Sequence, residues 1–385
     1  MAQMRKCFHV CIPVFVFSFM LLHSLLKESV LKHETHITLR LRSLEAAISQ
    51  LSERMNETDK INSRLVANKE VKKDDKCNLF TRDSELTHAI IKNALKSRQK
   101  VEPNDITLVT QLTVQRLPSF EQILQQWPGP VSASVYIEPR DLKIFPSFVE
   151  KFPLLMTRTN IDLHLAGQTK FQTYYPINFM RNVALNNSWT DYVINLDVDF
   201  IPPYTMYETL RETIAKGLPK NAGLILPAFE VMTHMGSLFP NNKSELLKLW
   251  NRELLHPVMQ YRAFKGGHKP TNFDKWKTTN KSYSIGTSFP FLFEPYFCAR
   301  RSVLPPFNEG FVGVVKDKIS HCMASFFHGV EFRVDPNNFV VHVPHMRPSK
   351  KKSILVENVK CGNSLFNQYT SQLKKKFPKR KLRRK

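Results

Sequence analysis

Residues 192–199 read Tyr-Val-Ile-Asn-Leu-Asp-Val-Asp, a short apolar run that ends in two carboxylates separated by one residue. Such a run predicts a buried strand, and in open α/β sheets ligands bind beyond the carboxyl ends of the strands. Asp197 and Asp199 could therefore turn together toward one divalent cation. A metal held there could bridge the diphosphate of a nucleotide-sugar and neutralise the leaving group. The same three residues also fit a solvated turn, so the motif needs support from its surroundings.

The flanking sequence supports an α/β fold. Apolar runs of strand length alternate with segments of helical spacing, and this alternation predicts βα units, a mostly parallel sheet and helices on both faces. Pro176 opens one predicted helix, at the position where proline is tolerated. The predicted strands are 106–112, 131–137, 161–165, 192–196 and 224–228, and the predicted helices are 117–127, 142–152, 176–186 and 206–216.

The N-terminal region contains an uncharged stretch, residues 7–26, preceded by Arg5 and Lys6. As a helix it would be about 30 Å long, the thickness of the hydrocarbon core. This predicts a single-pass type II signal anchor with a cytosolic tail at 1–6 and the rest of the chain in the Golgi lumen. A cleaved signal peptide is the alternative.

Residues 27–103 are polar and charged, which predicts a stem between the anchor and a catalytic domain at 104–348. Within 37–55, apolar residues recur at steps of four and three, the spacing of a coiled-coil seam that could form a homodimer. The alternative is a lone amphipathic helix in a tether. The seam consists of Ile37, Leu41, Leu44, Ile48, Leu51 and Met55.

Glycosylation sequons and cysteines agree with a secretory location. The sequons begin at Asn56, Asn186, Asn242 and Asn280. Outside the predicted anchor the cysteines are Cys77, Cys298, Cys322 and Cys361. Four cysteines allow three pairings, among which the sequence does not choose, and their spacing gives no support to a zinc site.

The 385 residues carry 56 Lys and Arg against 33 Asp and Glu, a net charge of +23. About half of this excess lies in the C-terminal extension, 349–385, so the remainder is not a nucleic-acid-binding composition. The basic tail suits either a tether to anionic glycans or lipid headgroups, or a solubilising segment. With 42% hydrophobic residues and only 12 Gly and 6 Cys, the chain can bury a core and is neither collagenous nor a disulfide mini-protein.

Segments throughout 106–348 resemble glycosyltransferase family 49, which includes the C-terminal domain of LARGE and a β-1,4-glucuronyltransferase. The matching segments are 109–114 (VTQLTV), 175–184 (YPINFMRNVA), 195–202 (NLDVDFIP), 227–230 (PAFE), 269–276 (KPTNFDKW), 293–296 (FEPY), 311–313 (FVG) and 341–345 (VHVPH). The resemblance implies a Golgi type II enzyme of GT-A fold. It implies Mn²⁺ as cofactor, a UDP-sugar donor, UDP-glucuronate in the characterised members, and inversion of the anomeric centre.

The resemblance also implies roles for particular residues. Asp197 and Asp199 would hold Mn²⁺ with His342 as the third ligand, a mixed set that Mn²⁺ accepts; His321 and His345 are alternatives. The remaining candidates are donor contacts. Thr110 and Gln111 would meet the uridine, Arg181 a phosphate or sugar carboxylate, Asn182 the nucleoside, and Asn272 and Trp276 the sugar, although Trp276 also fits a core position and Arg181 a salt bridge.

An inverting transfer needs a carboxylate to accept the proton of the acceptor hydroxyl, and Glu294 and Asp317 are the two candidates. Around Asp317 the chain departs from the family: residues 311–318 read FVGVVKDK where LARGE-like members read approximately FVGFGWNK. This departure changes the loop that would face the acceptor, so it bears on which acceptor and which donor sugar the protein uses. Two alternatives therefore stay open. One is a transferase that uses a different UDP-sugar, and the other is a non-catalytic membrane-anchored protein that binds glycans or chaperones a partner transferase.

Overall fold

The computed structural model describes residues 4–68, 77–231, 239–258, 267–313, 315–343 and 352–383. Its helices are α1 Met4–Asn68, α2 Asn78–Asp83, α3 Leu117–Gln126, α4 Phe145–Val149, α5 Pro153–Thr157, α6 Ile177–Asn186, α7 Met206–Ala215, α8 Lys243–Asn251, α9 Phe273–Thr278, α10 Asp317–Phe327 and α11 Lys352–Lys376. Its strands are β1 Ala89–Leu95, β2 Ile106–Thr113, β3 Val131–Ile137, β4 Ile161–Gly167, β5 Tyr192–Asn195, β6 Phe200–Ile201, β7 Ala222–Leu226, β8 Ala228–Val231, β9 Leu255–Pro257, β10 Tyr283–Ser284, β11 Phe289–Pro290, β12 Tyr296–Arg300, β13 Glu331–Val334, β14 Val340–His342 and β15 Leu382–Arg383.

Nine of the described strands form the main sheet, in the order β1-β4-β3-β2-β5-β12-β7-β13-β10. The strands β4, β3, β2 and β5 are parallel, as predicted. The prediction of a mostly parallel sheet is wrong beyond β5, because β12 returns antiparallel between β5 and β7. β1 and β10 also pair antiparallel at the two edges, so the domain is mixed α/β.

Most predicted elements are confirmed. The strand at 131–137 has the predicted bounds, and the helices at 117–127, 176–186 and 206–216 differ by one residue at one end. The predicted helix 142–152 is wrong, since the chain forms two short helices, α4 and α5. Phe152 precedes Pro153 and leaves the helical region (φ −114°, ψ 88°), which is the conformation that a following proline favours.

A second, four-stranded sheet has the order β6-β14-β8-β9. In its register His342 of β14 lies opposite Phe200 of β6, the residue that follows Asp199. This pairing brings a residue near the end of the sequence beside the Asp-Val-Asp motif.

The residues predicted as a stem belong to the same folded unit as the main sheet. Strand β1 pairs with β4, and α1 packs across both strands through Leu44, Ile48, Leu51 and Met55. Contact is close because Gly167 at the end of β4 has no side chain: a Cβ there would lie 2.4 Å from the Met55 Cγ. The apolar seam is therefore buried within one chain, and the proposed coiled-coil homodimer loses its basis.

The C-terminal extension is also folded. Helix α11 buries Cys361, Phe366 and Leu373, and β15 pairs in parallel with β11. A disulfide joins Cys361 of α11 to Cys77 at the start of α2, while Cys298 and Cys322 are buried thiols.

The stretch predicted as a membrane anchor, 7–26, lies within α1, and none of the helices in the described part of the chain is both long and apolar enough to cross a bilayer.

Candidate active site

The Asp-Val-Asp motif forms the turn between the two sheets. After β5, the Leu196 N–H still donates to the Val109 carbonyl of β2 (2.9 Å), so the chain stays in the sheet up to the motif. The Phe200 N–H then donates to the Asp197 carbonyl (2.9 Å) and closes the turn into β6. Asp197 therefore lies beyond the carboxyl end of β5, where the sequence predicted the site.

Three side chains donate to the Asp197 carboxylate. Arg181 Nη2 lies 2.8 Å from Oδ1, while the Tyr296 hydroxyl and Lys318 Nζ lie 2.7 Å and 3.3 Å from Oδ2. Burial alone would raise the pKa of this carboxyl, but Lys318, Arg181 and the Tyr296 hydroxyl together hold the pKa well below its ordinary value. Asp197 is thus an anion held by two cations.

Arg181 joins two carboxylates. Its guanidinium is 1% exposed, and Nη1 lies 2.6 Å from Asp317 Oδ2 and 3.0 Å from Asn178 Oδ1. Burial would lower the pKa of the guanidinium, whereas Asp197 and Asp317 raise it, so Arg181 stays charged. Arg181 thus positions Asp197, and its two terminal nitrogens donate to protein oxygens; its contact with the donor stays a prediction.

Asp199 and His342 form a separate pair. Asp199 Oδ2 lies 3.4 Å from His342 Nε2, and the Val343 N–H donates to the Asp199 carbonyl (2.9 Å). The imidazole also packs on Phe200, with ring centroids 5.0 Å apart. A carboxylate and an imidazole on adjoining strands are therefore held close to the Asp197 cluster.

The fit of a divalent metal can be tested on these side chains. Among the described residues no group of three His, Cys, Asp or Glu side chains is arranged to hold a metal ion. Asp197 does not join Asp199 and His342 in such a group, and its oxygens accept from Arg181, Tyr296 and Lys318; its predicted role as a ligand stays a prediction. Asp199 and His342 remain, and one or two carboxylates plus substrate phosphates are a common site for such ions. The pair fits a metal that is completed by a bound diphosphate.

Glu294 and Asp317 differ as candidate bases. Asp317, at the start of α10, forms an ion pair with Arg181 through its Oδ2. Burial raises the pKa of Glu294, Lys318 opposes that rise, and the charges of Asp317 and Asp197 add to it. Glu294 is thus the carboxyl whose proton affinity is increased, as a general base requires.

The two predicted uridine contacts are consecutive residues in the second half of β2. Thr110 is buried, and its hydroxyl has no hydrogen-bond partner in the described part of the chain. The Gln111 side-chain oxygen accepts from the Tyr175 hydroxyl. A buried hydroxyl without a partner is costly unless a ligand or water meets it, and the contact of Thr110 with the donor stays a prediction.

Three other predicted donor contacts make hydrogen bonds within the protein. Asn182 donates to the Phe307 carbonyl and to Glu309, and accepts from the Phe307 N–H, which anchors the loop before α10. Asn272 caps α9 by accepting from the Lys275 N–H. Trp276 is 0% exposed and donates from Nε1 to a main-chain carbonyl, so the core interpretation is correct.

His321, the alternative metal ligand, is buried and stacks on Phe307 with its Nε2 against the Pro305 carbonyl. His345 lies outside the described residues. The sequon asparagines Asn56, Asn186, Asn242 and Asn280 are exposed, although Thr58 and Ser188 of the first two sequons are buried and Asn242 also caps α8, so glycosylation stays a prediction.

Lys318 and Tyr296 were not assigned a role from the sequence, although Tyr296 ends the matching segment 293–296 and Lys318 is the lysine that ends both FVGVVKDK and the family's FVGFGWNK. Lys318 Nζ lies 3.9 Å from the centroid of the Tyr296 ring, so the two side chains form one wall beside Asp197. Tyr296 follows Glu294 by two residues on the way into β12, a spacing that places both near the site.

Comparisons with known proteins point to one family. The family model for "glycosyl-transferase for dystroglycan" matches residues 105–174 and 167–378. Xylosyl- and glucuronyltransferase LARGE2s of Gallus gallus is 36% identical over 280 residues, which cover 72% of this chain and 37% of the relative. Xylosyl- and glucuronyltransferase LARGE1 of Homo sapiens is 34% identical over 280 residues, 72% of this chain and 36% of that protein. The chain thus spans little more than a third of these relatives.

Solved structures that resemble the chain share little sequence with it. GalNAc-T7, crystallised with UDP, GalNAc and Mn²⁺, is 11% identical with a TM-score of 0.41, over 70% of this chain and 50% of that one. Residues 1–349 of TarS from S. aureus give 11% identity and a TM-score of 0.33, over 61% of this chain and 60% of that one. The family match covers far more than half of the residues and includes Asp197, Asp199 and His342. The chain belongs to the glycosyltransferase family that acts for dystroglycan.

Proposed function

We propose that this chain is an inverting, Mn²⁺-dependent glycosyltransferase of GT-A fold that transfers a sugar from a UDP-sugar to a glycan of a glycoprotein. UDP-glucuronate is the proposed donor, because the relatives are named xylosyl- and glucuronyltransferases and the site is rich in cations. The observation that carries the proposal is the Asp199–His342 pair, 3.4 Å apart beside the buried Arg181–Asp197–Lys318 cluster.

Each part of the site has a separate task in this transfer. Asp199 and His342 would hold Mn²⁺, which when bound supplies positive charge to the diphosphate leaving group. Arg181 fixes Asp197, and Asp197 in turn fixes the Lys318 ammonium and the Tyr296 hydroxyl. Because these groups are held before substrate arrives, they need no reorganisation as charge develops.

Glu294 is the proposed base. Inversion requires the acceptor hydroxyl to attack the sugar C1 from the face opposite the diphosphate, while a carboxylate takes the hydroxyl proton. Burial of Glu294 raises its pKa, which increases its affinity for that proton. In this proposal Asp317 is not the base, and its ion pair with Arg181 gives it the role of positioning that guanidinium.

We further propose that the folded domain works in the lumen of the Golgi. The Cys77–Cys361 disulfide and the exposed sequon asparagines support an oxidising, glycosylating compartment.

The test is UDP release from UDP-glucuronate by the full chain, with Mn²⁺ and with EDTA, beside UDP-xylose and other UDP-sugars. Asp199→Asn and His342→Gln should each lower turnover at least about 100-fold, since the metal contributes several kcal/mol to the transition state. Asp191→Asn is the matched control, because this carboxylate precedes the same strand but lies on the surface beside Arg300.

Release from a different UDP-sugar alone would change the donor and keep the reaction class. UDP binding without turnover by any donor would replace the proposal with a non-catalytic glycan-binding protein.

A further inference from the structure

A cavity of about 270 Å³ opens at the end of the main sheet opposite the Asp-Val-Asp motif. We call it the Trp189 cavity; its walls include Trp189, Asp162, Thr107, Thr190, Lys96 and Lys100. Its volume is close to the lower end of the range for small-molecule sites, about 300–1,000 Å³, which suits a ligand of one or two rings.

The position of the cavity separates it from the proposed donor site. Thr107 and Asp162 lie near the amino ends of the parallel strands β2 and β4, and Thr190 precedes β5. Thr107 pairs with Val193, four residues before Asp197, so the two sites are roughly 13 Å apart along the strand at about 3.3 Å per residue. A ligand in the cavity cannot also be the reacting sugar.

Trp189 is the exposed wall. The chain has four tryptophans; Trp127 and Trp276 are 0% exposed and Trp250 is partly buried, whereas Trp189 is 61% exposed. An indole face in water at the mouth of a cavity is a common anchor for ligands, and it packs well on the apolar face of a pyranose.

The floor of the cavity is polar and already ordered. The Thr107 and Thr190 hydroxyls are 2.7 Å apart, and Asp162, 5% exposed, accepts from the Ser97 N–H (2.9 Å). Hydroxyl and carboxylate oxygens held in this way are the acceptors that sugar hydroxyls require. The floor is preorganised, so binding would cost little ordering.

The rim is basic. Lys96 and Lys100 are exposed at the mouth, and of the titratable side chains that line the cavity only Asp162 carries the opposite charge. Ammonium groups at the rim favour a ligand that presents its hydroxyls to the floor and an anionic group to solvent.

We propose that the Trp189 cavity is a second, non-catalytic saccharide-binding site that prefers an acidic sugar, of the uronate type, stacked on Trp189 with its carboxylate toward Lys96 and Lys100. Such a site would hold an acidic glycan on the enzyme while another part of the glycan, or another chain, occupies the catalytic end. The proposal does not depend on the transfer activity proposed above.

Saccharide could reach the cavity from two sources. One is a free glycan, which we propose; the other is the N-linked glycan of the chain itself, since the sequon at Asn186 begins three residues before Trp189. Asn186→Gln separates the two sources without touching the cavity walls.

The experiment measures binding of methyl β-D-glucuronide to the full chain by saturation-transfer NMR and tryptophan fluorescence, with methyl β-D-glucoside as the neutral probe. Trp189→Ala should weaken binding at least about tenfold through loss of stacking and buried area. Lys96→Ser with Lys100→Ser should abolish the preference for the glucuronide over the glucoside. Ile144→Ala, which removes another exposed apolar side chain, is the control.

Binding should persist in Asn186→Gln, in Asp199→Asn and in excess UDP, which keeps the outcome independent of the catalytic site. Equal binding by Trp189→Ala, or displacement of the glucuronide by UDP, would overturn the proposal. Equal affinity for the two probes would overturn the acidic preference, and binding that occurs only in Asn186→Gln would assign the cavity to the chain's own glycan. Since Trp189 and both lysines are exposed, the variants should have the same melting temperature as the wild type, and this is checked first.

Discussion

Replacing Arg181 by methionine should destabilise the protein severely. The side chain is 1% exposed and its terminal nitrogens donate to Asp197 (2.8 Å), Asp317 (2.6 Å) and Asn178 (3.0 Å). Methionine fills a similar volume without the charge, so the loss measures the ion pairs rather than a cavity. Asp317 is then left with a partly buried carboxylate, and Asp197 retains Lys318 and Tyr296.

The magnitude follows from what remains unpaired. Removing one partner of a buried ion pair costs about 3–5 kcal/mol, and we expect about 4 kcal/mol here. This is a large part of the roughly 5–15 kcal/mol that stabilises a typical domain. By contrast, Arg300→Met removes a pair with the exposed Asp191 and should cost less than about 1 kcal/mol.

Urea unfolding at pH 7 with the disulfide intact gives the free energies. Asp317→Asn alone should cost about 1–3 kcal/mol, because Arg181 keeps Asp197. Once Arg181 is methionine, the same asparagine removes an unpaired charge, so the double variant should be at least about 1 kcal/mol more stable than additivity predicts. Free energies that simply add, or an Arg181→Met variant within about 1 kcal/mol of wild type, would refute the reasoning. If Arg181→Met cannot be purified because it is insoluble, a soluble double variant with Asp317→Asn would carry the same information.

Other predictions concern separate parts of the molecule. Cys77→Ser with Cys361→Ser should lower the unfolding free energy by about 2–4 kcal/mol, since this disulfide closes a loop of sequence separation 284; a shift below about 1 kcal/mol in urea would show that α11 is held without it. Burial lowers the pKa of His164 to about 4 from 6.5, with a smaller contribution from Lys92. The unfolded chain therefore takes up the proton first as pH falls, and about 3 kcal/mol that is present above pH 6.5 should be lost by pH 4; His164→Asn should flatten that slope in thermal melts. Trp276→Ala should cost about 3–5 kcal/mol of stability and leave the KM for the donor unchanged, whereas a raised KM at unchanged stability would restore its predicted sugar contact.

The sequence predicted the parallel half of the main sheet well because those strands are short apolar runs between turns. The strand at 131–137 is buried along its whole length, so its uninterrupted run of apolar and small residues is visible in the local sequence alone. The antiparallel return of β12 could not be predicted in this way, since strand direction depends on which neighbour it joins, and Cys298 of β12 pairs with Ile194 more than a hundred residues earlier.

The candidate site shows the same division. The position of Asp197 beyond a strand follows from local pattern, but its partner Lys318 is separated from it by 121 residues and lies on helix α10. Nor does sequence pattern distinguish a tryptophan that meets a sugar from one that fills a core. Trp276, whose sequence fits either a sugar contact or a core position, is buried, while Trp189, which no motif indicated, is exposed beside a cavity.

The packing of α1 against β1 and β4 determines where the chain can be shortened. A recombinant fragment that began near residue 100, at the end of an imagined tether, would lack β1 and the helix that covers it. The edge of β4 would then expose unpaired N–H and C=O groups, which could pair with other molecules and cause aggregation. A recombinant fragment of this enzyme should begin before residue 37, so that it includes the seam from Ile37 to Met55 that covers the sheet.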